Sequence, residues 1–271
     1  MRLSEDEDLP KYSKKRRLEH RLRVVEKRDR MLEKDRSSDS AVMEEVFDRS
    51  TLMTIYDLLN RGVIKRIHGV VKAGKESRVY RGVDSEERDL AIKIYLVASA
   101  EFRRGMLPYI VGDPRFKRVK RDSRSLVYAW AQKEFKNLKR AEEAGVRVPK
   151  PVYVKNNVLV MEFIGENGLP AHLLKDQPPK RPTAMYQRIL EYVKMLYRRA
   201  GLVHGDLSEY NIMNWREEPV IFDVSQAVLL EHPMADKLLR RDLKSINGYF
   251  ERMDVKVKVL DDLYRWVVGD G

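Results

Sequence analysis

Leu202-Val203-His204-Gly205-Asp206-Leu207-Ser208-Glu209-Tyr210-Asn211 places a carboxylate and a carboxamide five residues apart in a short polar stretch. Downstream, Val220-Ile221-Phe222-Asp223-Val224-Ser225 reads as an apolar strand ending on a second aspartate. Phosphoryl transfer needs such a set. One carboxylate orients or deprotonates the attacking hydroxyl, while an amide oxygen and a second carboxylate hold Mg²⁺ against the phosphates. Singly the residues say little. A histidine such as His204 is more often structural than a base, and an Asp–Asn pair commonly shapes a turn.

Toward the N-terminus, Leu90-Ala91-Ile92-Lys93-Ile94-Tyr95 is a strand with apolar residues on both sides of its lysine. A lone ammonium there is costly unless it meets an anion or snorkels to an edge. Glu134 is a candidate partner. It shares a helical stripe with Trp130 and Leu138, four residues to either side, and so points inward. An inward acid and an inward base make a buried ion pair that can aim the ammonium at phosphate oxygens. The ordered set Lys93, Glu134, Asp206, Asn211 and Asp223 is far harder to reach by chance than any one member of it. Gly69-Val70-Val71-Lys72-Ala73-Gly74-Lys75 nearly spells a Walker A loop, but Glu76 stands where Ser or Thr should hold the metal. The residues after it read as a strand where a helix should open, so a P-loop NTPase is rejected. A strand-turn-strand carrying Gly74, Lys75 and Ser77 can still cover phosphates with backbone N–H groups.

Composition narrows the class. The 271 residues hold 54 Lys and Arg against 42 Asp and Glu, a net charge of +12. With 35% charged and 43% hydrophobic residues, the chain is too apolar for global disorder and too charged for a membrane protein. No apolar run approaches the ~18 residues of a membrane span. The absence of cysteine excludes disulfides, thiolate metal sites and a cysteine nucleophile. The five histidines show no ligand spacing. Ser4-Glu5-Asp6-Glu7-Asp8 is acidic where a signal peptide would be basic and then apolar, so the expectation is a cytoplasmic protein. The positive balance points to a polyanionic partner, or simply to solubility.

The layout is a strand-rich half followed by a helix-rich half. Residues 1–40 carry 23 charged residues and read as a mobile arm. Leu52, Ile55, Tyr56 and Leu59 mark one face of a helix capped by Gly62. Strands are expected at Ile67–Val71, Val79–Val83 and Leu90–Tyr95, then at Pro151–Lys155 and Val158–Phe163 around an Asn156-Asn157 turn. Residues 101–124, with 8 basic and 3 acidic residues, fit no period and read as a long mobile loop before a helix over about 126–144. Thr183 can cap a helix faced by Met185, Ile189, Tyr192, Val193 and Leu196, and further helices are expected near 233–252 and 257–267. Two lobes with a cleft between them follow, and clefts are where ligands sit.

These strings together resemble the protein-kinase-like superfamily, and within it the RIO atypical serine/threonine kinases of the type-1 subfamily, in its archaeal-like form. The residues that carry the likeness are Gly74-Lys75-Glu76, Ala91-Ile92-Lys93, Met161-Glu162-Phe163-Ile164-Gly165, His204 through Asn211, Asp223-Val224-Ser225-Gln226, His232-Pro233-Met234-Ala235 and Arg240-Arg241-Asp242. They span about residues 44–250. Val224-Ser225-Gln226 favours type 1 over the type-2 subfamily.

The resemblance implies an α+β, bilobal protein-kinase-like fold with an antiparallel-sheet N-lobe and a truncated helical C-lobe. The expected divisions are a mobile arm over 1–43, a helical extension packing on the kinase over 44–66, an N-lobe over 67–164 with the basic loop 101–124, and the C-lobe over 165–271. It implies that Lys93 contacts the α/β-phosphates with Glu134 supporting it, and that Asp206 is the catalytic base. Asn211 and Asp223 would bind Mg²⁺, with Mn²⁺ as a substitute, and backbone at Glu162 and Ile164 would hold the adenine of ATP. It further implies an aspartyl-phosphate on Asp223 and work on the maturing small ribosomal subunit, through its rRNA or proteins. The single central glycine Gly74 and the lack of an Ala-Pro-Glu string after Asp223 set the chain apart from ordinary protein kinases. They fit autophosphorylation, or ATP hydrolysis used as a switch. Two other functions compete: a nucleotide-gated scaffold on pre-ribosomal RNA, and a small-molecule kinase, against which the strings around Glu76 and Asp223 argue.

Overall fold

Short runs of β-branched and apolar residues separated by polar turns over 66–95 form three strands, β1 (Arg66–Ala73), β2 (Ser77–Val83) and β3 (Asp89–Tyr95), in a computed structural model that describes residues 47–97, 100–120 and 122–269. The chain divides into two units, 1–48 and 49–271. The expectations for 1–43, and the start of the extension expected from 44, lie outside the described residues. The second unit carries every element below.

α1 (Arg49–Asn60) precedes β1. Its buried residues are Thr51, Thr54, Ile55 and Leu58, so the inward face is turned from the expected one, with Leu52, Tyr56 and Leu59 only partly covered. The reason is polar. The turn between β4 (Pro151–Lys155) and β5 (Val158–Glu162) offers two asparagine amides. Asn156 Nδ2 donates to Thr54 Oγ1 and Asn157 Nδ2 to Thr51 Oγ1, each at 2.9 Å. Lys155 pairs with Asp57 at 2.6 Å beside them. Asn156 itself sits at φ 52°, the left-handed conformation that Asn tolerates.

The five strands form one antiparallel sheet in the order β1-β2-β3-β5-β4. β3 is central, and from Leu90 to Tyr95 every residue is buried. Lys93 pairs with Val79 on one side and Leu159 on the other, which leaves its ammonium no edge to reach.

Between β3 and the next long helix the structure departs from the expected loop. Ala100–Ile110 is helical (α2) and Pro114–Phe116 forms a 3-10 turn. Pro108 inside α2 removes a backbone donor, and the many charges blur the period. Packing decides instead: Met106 and Phe116 are buried with Trp130, and Tyr109 and Ile110 pack against the same cluster. α3 (Ser123–Glu143) starts earlier than expected because the Asp122 carboxylate caps it, accepting from Ser125 N at 2.9 Å.

After β5 a short hairpin, β6 (Gly165–Glu166) with β7 (Leu169–Pro170), leads into the helical half. α4 (Pro182–Arg198) opens on Pro182 at its first turn with no side-chain cap, so Thr183 does not cap it. The short pairs β8 (Leu202–Val203) with β11 (Val228–Leu229), and β9 (Ile212–Trp215) with β10 (Glu218–Ile221), hold the motif-bearing stretch. α5 (Ala235–Glu251) and α6 (Leu260–Val268) complete a core with Ile189, Leu243, Ile246 and Phe250 at its centre. Among the described residues no helix is long and apolar enough to cross a membrane.

Gly165 joins the two halves, and a Cβ there would run into the Leu169 carbonyl and lie 2.7 Å from the Phe163 ring. Gly165→Ala is therefore expected to cost about 1–3 kcal/mol by overpacking. Thermal melting checks it, and an unchanged Tm would show that the hairpin can shift freely.

Candidate active site

Lys93 is 6% exposed and lies between two carboxylates. Its Nζ donates to Glu134 Oε1 at 2.9 Å and to Asp223 Oδ1 at 2.8 Å. Burial pulls the ammonium toward neutrality, but Asp223 and Glu134 more than offset it and hold Lys93 protonated, well above its ordinary range. Burial alone would raise the Asp223 carboxyl. Lys93, with the Ser225 hydroxyl donating at 3.1 Å, brings it down to about 2. Tyr95 donates its hydroxyl to the other oxygen of Glu134, so that carboxylate is fixed on both sides.

Asp223 stands at φ 56°, ψ 53°, left-handed backbone that turns the chain sharply from β10 into a 3-10 turn over Val224–Gln226. The Phe222 N–H donates to the Asn211 carbonyl at 3.1 Å, and Ile212 pairs with Ile221, so Asn211 and Asp223 leave adjacent strands side by side. Asn211 Nδ2 donates to the Asp206 carbonyl at 2.7 Å and to Asp206 Oδ2 at 3.2 Å. Burial pushes the Asp206 carboxyl up, against the pull of His204 and Arg241.

The loop carrying Asp206 is held from α5. Asp242, 2% exposed, accepts from Gly205 N at 2.7 Å and Leu207 N at 3.0 Å, and Arg241 donates to the Gly205 carbonyl. His204 is structural here: Nε2 meets the Phe222 carbonyl at 3.2 Å and Nδ1 accepts from Asp206 N at 3.3 Å.

A cavity of about 610 Å³ opens beside this cluster. Gly74, Lys75 and Ser77 line it from the β1–β2 turn, and Lys93, Glu134 and Asp223 from its floor. Glu162 and Ile164 close the side where β5 leaves the sheet. Asp206 and Asn211 are not part of this lining. The turn is tight: Gly74 N donates to Ser77 O at 2.9 Å, and a Cβ on Gly74 would press that oxygen at 3.2 Å. At the far wall Glu162 N is taken by the Lys150 carbonyl at 2.8 Å, and the Glu162 carboxylate is paired with Arg147 at 2.7 Å. The Ile164 carbonyl accepts from Ala171 N at 2.8 Å, while the Ile164 N–H has no hydrogen-bond partner among the described residues. No cluster of three or more His, Asp or Glu side chains suited to a metal occurs among those residues.

The structure thus lines one cavity with Gly74, Lys75, Ser77, Lys93, Glu134, Glu162, Ile164 and Asp223, and places the joined pair Asp206 and Asn211 outside that lining, Asn211 bonded to Phe222 next to Asp223. Other buried polar residues hold the site. In the sequence Asp242 stands out only within Arg240-Arg241-Asp242. Lys133 and Asn137, both buried, lie on the inner face of α3 with Trp130, Glu134 and Leu138. Their spacing from Trp130 and Glu134 at helical period was the available signal. Burial, then the charge of Arg115, draws the Lys133 ammonium down to about 7.

The sequence pattern of the RIO domain matches residues 78–263. The RIO-type serine/threonine-protein kinase Rio1 of Haloferax volcanii is 40% identical over 92% of this chain and 86% of its own. That of Methanocaldococcus jannaschii is 40% identical over 93% of this chain and 83% of its own. The human serine/threonine-protein kinase RIO1 is 36% identical over 85% of this chain, which spans only 41% of that longer protein. In fold, the chain resembles the crystal structure of the Rio2 kinase-ADP/Mg²⁺-phosphoaspartate complex from Chaetomium thermophilum. The TM-score is 0.60 at 24% identity, covering 80% of this chain and 66% of that one. The chain belongs to the RIO family, as a serine/threonine-protein kinase of the Rio1 type.

Burial raises the Asp242 carboxyl from 3.8 to about 6. Between those values the folded protein keeps a proton that the unfolded chain has released. The stability this lends is complete below about pH 4 and is lost as pH rises through 6, on the order of 3 kcal/mol. Denaturant unfolding of the native protein and Asp242→Asn at pH 4.5 and 7.5 checks it. The native protein should lose more stability than the variant between the two, and parallel losses would reject the assignment.

Proposed function

We propose that the cavity binds ATP with Mg²⁺ and that the chain transfers the γ-phosphoryl group to serine or threonine, its own included. One observation carries the reading: the buried Lys93 ammonium sits 2.8 Å from Asp223 in the lining of a cavity that Ile164 also lines, whose N–H has no hydrogen-bond partner among the described residues. Those two groups suit a nucleotide, with a cation for phosphate and a backbone donor for a base. The oxygen donors of Asn211 and Asp223 are hard ligands of the kind Mg²⁺ takes, one carboxylate and few other protein groups, the rest coming from phosphates and water. When bound, Mg²⁺ would neutralise charge building on the phosphates, and Mn²⁺ would serve in its place.

The roles follow from chemistry. Lys93, kept protonated, orients the α/β-phosphates, and Glu134 keeps it aimed. Gly74, Lys75 and Ser77 cover the phosphates from the β1–β2 turn. Backbone at Glu162 and Ile164 receives the adenine edge. Asp206, its carboxyl raised by burial and fixed by Asn211, accepts the proton of the attacking hydroxyl. Where no hydroxyl is presented, an Asp223 carboxylate oxygen would attack the γ-phosphorus with ADP leaving, and water would then cleave the acyl phosphate to regenerate the carboxylate and release phosphate, which would make an ATPase switch of the same site.

We further propose that the protein acts in the cytoplasm on the maturing small ribosomal subunit. The net charge of +12 supports a polyanionic partner, and counterion release would make that binding weaken with salt.

The test is incubation with γ-³²P-ATP and Mg²⁺, with and without small ribosomal subunits, following both labelled protein and free phosphate. Asp206→Ala should abolish transfer to serine or threonine while ATP binding stays nearly intact, because it acts on the hydroxyl. Asp223→Ala should raise the Mg²⁺ needed for ATP binding. Phosphate release that rises with added subunits supports the ribosomal reading, and release indifferent to them rejects it. ATP binding with neither label nor release would reject transfer altogether.

A further inference from the structure

The inner face of α3 carries a lysine that the proposed chemistry does not use. Lys133 is 1% exposed. No carboxylate lies within ion-pair distance of it among the described residues. Its Nζ stands over the rings of Trp130, at 4.4 Å, and Tyr109, at 5.8 Å, and makes one hydrogen bond, 3.0 Å to the Ser225 carbonyl. Burying an amine without an acid is costly, and burial holds its proton only loosely; an apolar side chain of the same length would fill the space at lower cost. What the amine does reach is the turn immediately after Asp223. One helical turn along, Asn137 is wholly buried and reaches the same turn: its Nδ2 donates to the Val224 carbonyl at 2.8 Å and the Ala227 carbonyl at 3.2 Å. The direction of that amide is fixed from behind. Its Oδ1 accepts from Arg115 Nη1 at 2.7 Å, and Arg115 is clamped on the buried Asp113 carboxylate.

The carbonyls of Val224, Ser225 and Ala227 are thus all held by α3, and Ser225 Oγ in turn donates to Asp223 Oδ1. Asp223 stands in the left-handed region, where few residues sit, so the turn after it depends on the partners that hold it. We propose that Lys133 and Asn137 are positioning residues for phosphoryl transfer, holding the turn over 224–227 so that the Asp223 carboxylate stands where the metal requires it. This rests on reading Asp223 as a metal ligand.

Lys133→Met in the full chain is the first test, because it removes the donor and keeps the length. The melting temperature should stay within a few degrees of the native protein, since relief of a desolvated charge offsets one carbonyl left unpaired. The Mg²⁺ concentration for half-maximal ATP binding, followed by calorimetry, should rise about tenfold and kcat fall about 10- to 100-fold, as for other groups that orient a metal ligand. KM for ATP at saturating Mg²⁺ should change less than about twofold. Asn137→Asp, of the same size and still able to meet Arg115, should shift the Mg²⁺ curve in the same direction. Native Mg²⁺ curves in both variants, or losses of kcat that only track the folded fraction, would overturn the proposal. Asp223→Ala in the same assay separates the two levels. If it shifts the Mg²⁺ curve while the α3 variants do not, the positioning role alone falls. If Asp223→Ala keeps the native curve, the metal reading falls and the positioning role falls with it.

Discussion

Lys93 is the point on which three parts of the structure meet. It comes from the centre of the sheet, Glu134 from α3, and Asp223 from the turn after β10, so the two ion pairs tie β3 to elements far along the chain. Burying these charges is unfavourable unless each finds its partner at close range, and removing one partner leaves another charge stranded. The arrangement therefore works only when the sheet, the helix and the turn are all in register. The hydroxyl of Tyr95 on Glu134 and that of Ser225 on Asp223 complete the hydrogen bonding that the pair alone would leave open.

The same logic governs the second half of the site. The stretch from His204 to Asn211 has too little regular structure to hold itself, so its backbone donors are met by a side chain from elsewhere. Asp242 takes two of them and Arg241 takes a carbonyl, both from α5. Side chains on a loop hold a fixed position only within such a frame, and in the proposed chemistry a small displacement of the reacting atoms would cost much of the rate. In this protein the frame combines the buried Asp242 with the exposed Arg241, both on a helix whose inward face is otherwise mostly apolar. Misplacing the helix would expose both costs at once.

How much of this could be read beforehand depended on period. The three-strand run and the later hairpin followed from apolar runs and from turn residues such as Asn156, while their joining through β3 and β5 into one sheet did not; the pairing of Lys93 with Glu134 followed from a charge on each apolar stripe. α2 was missed because Pro108 and a high charge density hide the period of Met106, Tyr109 and Ile110, which becomes evident only when Trp130 is placed beside them. The inward face of α1 was misjudged because Thr51 and Thr54 are chosen by the asparagines of a hairpin about a hundred residues later, and no local pattern carries that information.

The amino-acid sequence by itself determined the class of chemistry: Lys93, Glu134, Asp206, Asn211 and Asp223 are residue types with few other reasons to occur in that order, and the strands and helices around them follow from local hydrophobic period. Tertiary structure alone decided which charges are shared and which are solitary. Lys93 stands among apolar neighbours in the sequence, whereas Lys133 lies between Gln132 and Glu134, yet both end up buried. One meets two carboxylates and the other a carbonyl and two aromatic rings, because the partners arrive from distant segments whose approach only the folded chain sets.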